Sequence, residues 1–300
     1  MKQNRIAFTM ATLGVAFGTF TAISGCGTQT SEQLTSIPTT KQPVIVPQSQ
    51  EPKTKVVSDK TFISEAIHAL PEDLAVPLMA PTVVPKTSAG MVLSARAFDD
   101  SGYVVQFYQA KEQYPVNHVN TVSAQMIATF GGWSESSQSL LAASGYANPA
   151  RPKGLRGTFK TGAVKLADSL PGTYYIWDPS PQKHPVMPSS SPYYGIYTSY
   201  ESWKIQVNSN NQKSPVAYAN QLIEYLHQHG LPHPRDKGYI VMTVDHPAYK
   251  LGDTSVDTVV AWKTGNFVYN TTFGSEIQNP NPWYFGIKLA ASMRKTQRVG

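Results

Sequence analysis

One cysteine, Cys26, stands among the 300 residues, so no internal disulfide can staple this fold. Charge is sparse as well: 15% of residues are Asp, Glu, Lys or Arg, against the usual quarter. The basic residues are scattered, and no run of four or more Lys or Arg occurs despite a formal net charge of +6. Nucleic-acid binding draws on clustered cations that release counterions together, so this chain is read as having no nucleic-acid partner. The excess charge is read instead as mild attraction to anionic lipid or wall polymer. Catalytic signatures are missing too. There is no Gly-x-Ser-x-Gly elbow, His-Glu-x-x-His pair, phosphate loop or dinucleotide fingerprint. The single thiol has another use, which removes a cysteine nucleophile.

Acidic residues are absent from positions 1–25, where the only charges are Lys2 and Arg5. Without this segment the chain holds 25 − 2 = 23 basic and 19 acidic residues, a net of +4. From Ile6 to Ile23 the chain is uncharged and apolar or small, and Ser24 and Gly25 follow. This is the plan of a secretory signal: positive start, apolar middle, small-residue end. A membrane-spanning helix asks for about 20 strongly apolar residues. Threonines 9, 12, 19 and 21 dilute the stretch, and a polar tract follows it.

Ile23-Ser24-Gly25-Cys26 resembles the lipobox of bacterial lipoproteins. The resemblance implies that the Cys26 thiol carries a diacylglyceryl group and that cleavage leaves Cys26 as the mature N-terminus. It also implies a place on the extracytoplasmic face of the cell membrane, which the chain meets as its partner through acyl chains. Each buried methylene contributes ~0.8 kcal/mol, and two chains hold stably where one holds marginally. Residues 26–58 then read as a tether. Pro38, Pro43, Pro47 and Pro52 recur among Thr, Gln and Ser, which blocks helix and leaves too little apolar surface to offset ordering. About 30 such residues reach ~30 Å as a coil and ~90 Å extended. Val44-Ile45-Val46 is the one apolar island in it.

Residues 59–300 read as an extracytoplasmic α+β domain: a largely antiparallel, twisted sheet of sequential hairpins with helices on one face. Asp59 caps a helix with Phe62, Ile63, Ala66, Ile67 and Leu70 on one side. Strands are expected at 90–98 and 103–110 about the Asp99–Gly102 turn, then at 121–130, 157–166, 173–177, 193–197 and 202–207. A helix opens at Ser214-Pro215 and closes at Gly230. Strand 238–244 and a hairpin of 258–262 with 266–272 follow, and Asn281-Pro282 opens a last helix with Trp283, Ile287, Ala290 and Met293 inward. Two passages, LxVPLxAPTVVP (74–85) and the aromatic hairpin leading to a helix ending IKLAASMRK, are similar to extracytoplasmic domains of unknown function in bacterial sensor lipoproteins. That similarity implies an envelope accessory or sensing role and carries over no catalytic residue.

Candidate chemistry is thin. His227, His229 and His233, with Asp245 and His246, are the densest group of metal-ligand types. Two residues apart on a helix, His227 and His229 point to different sides, and both suit a helix C-terminus. No metal and no cofactor is therefore assigned. Catalytic residues stay unknown: Gly132-Trp133-Ser134-Glu135-Ser136 is half of a nucleophile elbow, and Asp178 and Glu201 are carboxylates that would have to meet in space. Asn270-Thr271-Thr272 matches a glycosylation sequon of little meaning in a bacterial chain. Aromatics gather at Tyr174-Tyr175-Ile176-Trp177 and from Tyr193-Tyr194 to Trp203, as sheet packing or as a surface for sugar rings or lipid. Three readings follow: a noncatalytic binding, sensing or scaffolding lipoprotein whose ligand is an envelope protein, glycan or lipid; a tethered hydrolase of wall or exported polymer; or a lipid or glycan carrier.

Overall fold

A computed structural model describes residues 59–146, 157–179, 193–212, 214–231, 237–244, 256–274 and 281–297. The signal segment, Cys26, the tether with Val44–Val46, His233, Asp245 and His246 lie outside the described residues.

Alternating β-branched and aromatic residues build the strands. In chain order they are β1 (Met79–Ala80), β2 (Val92–Phe98), β3 (Gly102–Ala110), β4 (Gln125–Ser134), β5 (Gly157–Lys165) and β6 (Pro171–Pro179). They continue with β7 (Tyr193–Tyr200), β8 (Trp203–Ser209), β9 (Gly238–Val244), β10 (Val256–Thr264), β11 (Phe267–Phe273) and β12 (Arg294–Lys295). The helices are α1 (Asp59–His68), α2 (Leu140–Ser144), α3 (Ser214–His229) and α4 (Phe285–Ala291).

Ten strands form one sheet in the order β2-β3-β4-β11-β10-β9-β8-β7-β6-β5. Every neighbouring pair is antiparallel except β8 and β9, which run parallel with Trp203 opposite Gly238. A parallel pair cannot be joined by a tight turn, and here α3 makes the crossover. The fold is the α+β class expected, with this one β-α-β unit joining two antiparallel halves. The expected strand over 121–130 begins later: Val119–Ser123 form a 3-10 turn before β4 starts at Gln125. His118 caps that turn by accepting from the Asn120 N–H.

The period of two sorts the side chains. Ile205, Val207, Ile240, Met242, Val260, Trp262 and Phe273 face one side, where they form the main core with residues of α1, α3 and α4. On the other side Tyr239, Ala261 and Val268 pack against Leu140 and Ala143 of α2. Among the described residues helices therefore cover chiefly one face, and the five-residue α2, absent from the expected elements, packs on the other. In α3 the expected stripe is buried at Ala219, Ile223 and Leu226, joined by Leu222, while Val216 is only partly buried.

The passage 74–85 and the C-terminal segment run side by side. β1 pairs with β12, and the Thr82 N–H donates to the Ser292 carbonyl at 3.2 Å. Two phenols fix this strap from beneath. Tyr103 Oη accepts from the Met79 N–H and donates to the Met79 carbonyl, both at 2.8 Å, and Tyr269 Oη donates to the Pro77 carbonyl at 3.0 Å.

Unpaired edges invite pairing with other chains, and both ends of this sheet counter that. Along β2, Asn117 acts as a one-residue strand. Its Oδ1 accepts from the Ala97 N–H at 2.7 Å, its Nδ2 donates to the Ala97 carbonyl at 2.9 Å, and its own N–H donates to the Ala95 carbonyl at 3.1 Å. On β5 the exposed Lys160 and Lys165 set charge on the edge.

Candidate functional site

The aromatic stretches singled out in the sequence fall on β6, β7 and β8, where alternation splits them between the faces. On the α2 side, Tyr175 lies across its register partner Gly195, where a Cβ would come within 2.1 Å of the ring. Only glycine leaves that room. Tyr175 stacks on Tyr197 (centroids 4.9 Å apart) and on Phe159 (5.7 Å), and Tyr146 links Tyr197 (5.8 Å) to Tyr239 (4.8 Å). Tyr175 Oη donates to Asn208 Oδ1 at 2.6 Å, and Gln206 Nε2 donates to the same oxygen at 3.0 Å. Burial raises the pKa of both Tyr175 and Tyr197, and their mutual proximity adds to the rise at Tyr197. Both phenols thus stay protonated at neutral pH, as hydrogen-bonding groups and not as bases. A cleft of about 580 Å³ borders this cluster, lined by Leu141, Tyr146, Tyr197, Lys204 and Tyr239 among others. The rings themselves are spent on one another: Tyr175 and Tyr197 are 7% and 8% exposed, and Trp203, on the helix-covered face, is 3% exposed.

A more open arrangement lies on the helix-covered face, between α3, α4 and the strap. Tyr225 stacks on His229 one helical turn along, with centroids 4.2 Å apart and planes 9° from parallel. Across the groove from α3, Tyr284 at the start of α4 stacks on Tyr225 at 5.0 Å and 24°. Trp283 stands steeply to Tyr218, Tyr225 and Tyr284 at 5.9, 6.2 and 5.7 Å. His229 is held a second way, its Nδ1 donating to the Tyr225 carbonyl at 3.1 Å; that tautomer leaves Nε2 as an acceptor. Burial, with Tyr284 close by, raises the Tyr225 pKa and keeps its hydroxyl protonated. The groove measures about 690 Å³, within the range of roughly 300–1,000 Å³ typical of ligand sites. Lys288, Arg294 and Glu224 line it with the rings.

The other residues marked in the sequence do not converge. His227 Nδ1 lies 3.3 Å from Asp168 Oδ2, so it and His229 have different partners. Among the described residues no three of His, Cys, Asp and Glu are grouped to hold a metal ion. Asp178 lies on β6 beside the start of β7, whereas Glu201 occupies the turn after β7 ends. A strand of that length sets their backbone positions roughly 25 Å apart at ~3.3 Å per residue. Ser134 Oγ is shared with Ser136 and Ser137 at 3.0 and 2.7 Å, and Glu135 pairs with Lys263 at 2.7 Å, so this half-elbow is a strand end tied to the neighbouring hairpin. Asn270 Nδ2 donates to the Ala143 carbonyl at 3.1 Å and anchors α2, while Thr271 is buried.

The sequence pattern does not single out Tyr225, Tyr284, Lys288 or Arg294, and it marks Trp283 only as an inward core residue. A signal was present: Tyr218, Tyr225 and His229 recur at helical spacing on the flank of the α3 stripe, and Trp283-Tyr284 opens α4. What the sequence withholds is that these two helices, more than fifty residues apart, are neighbours.

Comparison with protein-family models, with curated proteins and with solved structures finds no match for this chain.

Proposed function

We propose that this chain is a lipid-anchored envelope lipoprotein whose extracytoplasmic domain binds a ligand in the groove between α3 and α4, without catalysing its conversion. The anchoring half rests on the lipobox-like Ile23–Cys26 behind an apolar, acid-free segment. The binding half rests on one observation: an open groove with an aromatic wall set before any ligand arrives, Tyr225 being stacked on both His229 and Tyr284. Groups already held in place lose little freedom on binding, which is how such a site gains affinity.

Expression of the full chain in a bacterial host tests the anchor. The expected result is acyl mass on an N-terminal Cys26 and retention in the membrane fraction after washing without detergent. Cys26→Ala is expected to lose both. An unmodified thiol in the wild type refutes the anchor.

A further inference from the structure

Granting the groove as the binding site, we infer that its ligand is an anionic saccharide, a sugar ring or short oligomer bearing carboxylate or phosphate. The groove has three kinds of surface, and a charged sugar meets all of them. Its aromatic wall, Trp283 and Tyr284 backed by the Tyr225–His229 stack, offers apolar area to the C–H faces of a pyranose. Along the same groove α3 contributes Gln221, Glu224 and Gln228, at i, i+3 and i+7. That spacing makes a row about 10 Å long on one side of the helix, hydrogen-bonding groups distributed as a polyol needs them.

Charge supplies the third surface. Lys288 and Arg294 line the groove against the single acid Glu224, a balance of 2 − 1 = +1. Neither cation belongs to an ion pair among the described residues. Arg294 is oriented from behind: its Nη1 donates to the carbonyls of Ala291 and Met293, both at 2.8 Å. Both Nη1 hydrogens are thereby used, and the donors on Nη2 and Nε are those available to a planar anion. A neutral sugar would satisfy the wall and the row but leave both cations unmatched.

Isothermal titration of the full-length chain in detergent tests this, with oligogalacturonate, maltohexaose and glucose 6-phosphate as probes. An anionic probe is expected to bind at least tenfold more tightly than maltohexaose, with a preference that shrinks as salt rises. Which anionic probe leads identifies the group as carboxylate or phosphate. Lys288→Ala and Arg294→Gln are expected to cut that preference to threefold or less. Tyr284→Ala weakens every sugar, and circular dichroism checks that each variant is folded. Equal binding of charged and neutral sugars overturns the inference and leaves the groove standing as the site. Binding indifferent to Tyr284→Ala, or no binding by any probe, overturns the groove reading with it.

Discussion

Gly286 sets two physical effects against each other, and the structure decides between them. It is the second residue of α4, buried where that helix rests on β10 and β11. Helix propensity alone favours Gly286→Ala by about 1 kcal/mol. A methyl there, however, would lie 2.7 Å from Thr258 Cβ, 3.1 Å from Phe273 Cβ and 3.2 Å from Thr258 Cγ2. Carbon–carbon contact is favourable at about 3.5–4.0 Å, and the two closest atoms are Cβ atoms fixed to strands, unable to swing aside. Overpacking of this kind costs about 1–3 kcal/mol. With so little room to yield the upper part of that range applies, so Gly286→Ala is expected to lose about 1–2 kcal/mol net. For a domain of this size that is a fall in Tm of roughly 2–8 °C. Urea unfolding followed by circular dichroism checks it, and the midpoint should fall with the slope unchanged. Lys288→Ala, exposed on the same helix, should stay within about 0.5 kcal/mol of wild type. A Gly286→Ala protein as stable as wild type, or more so, refutes the reasoning. It would mean that α4 can stand off the sheet, and then Trp283 and Tyr284 just before it would not be held firmly in the groove either.

Thr271 is 1% exposed and its hydroxyl has no hydrogen-bond partner among the described residues; Thr271→Val, which keeps the shape, should raise stability by about 1 kcal/mol in the same assay. Asn117→Ala removes two bonds to Ala97 and places alanine at φ 65°, so a loss of about 1–3 kcal/mol and faster exchange of the Ala97 amide are expected. Alkaline pH should act through the buried phenols. Unfolded tyrosines ionise near 10, but burial pushes Tyr269 up to about 12. That contribution to stability is whole below pH 10 and is lost as the pH climbs through 12. Thermal melts across this window should show the decline, and absorbance at 295 nm should show several tyrosines ionising late, with one fewer late phenol in Tyr269→Phe while Tyr103, Tyr175 and Tyr197 keep theirs.

Local signals carried far in this chain. Asp99–Gly102 and Gly265 mark hairpins because their turns need residues tolerant of positive φ, as Ser101 at 56° and Gly265 at 63° show. Ser214-Pro215 and Gly230 bracket α3 because helix ends are local chemistry. The α2 helix escaped notice because five residues give too short a period to read, although Ser139 caps it and Gly145 closes it.

The α+β class, the hairpin order and the apolar stripes were settled by the chain's own pattern, since turns, caps and periodicity act over a few residues. Tertiary structure alone decided that β8 and β9 pair in parallel and that Tyr175 of β6 and Tyr197 of β7 bury one another while Tyr174 stays exposed. It also decided that Tyr225 of α3 meets Trp283 and Tyr284 beside α4. Each of these rests on contacts between distant segments, and what selects them is the burial of whole faces against one another, a property no short window of sequence contains.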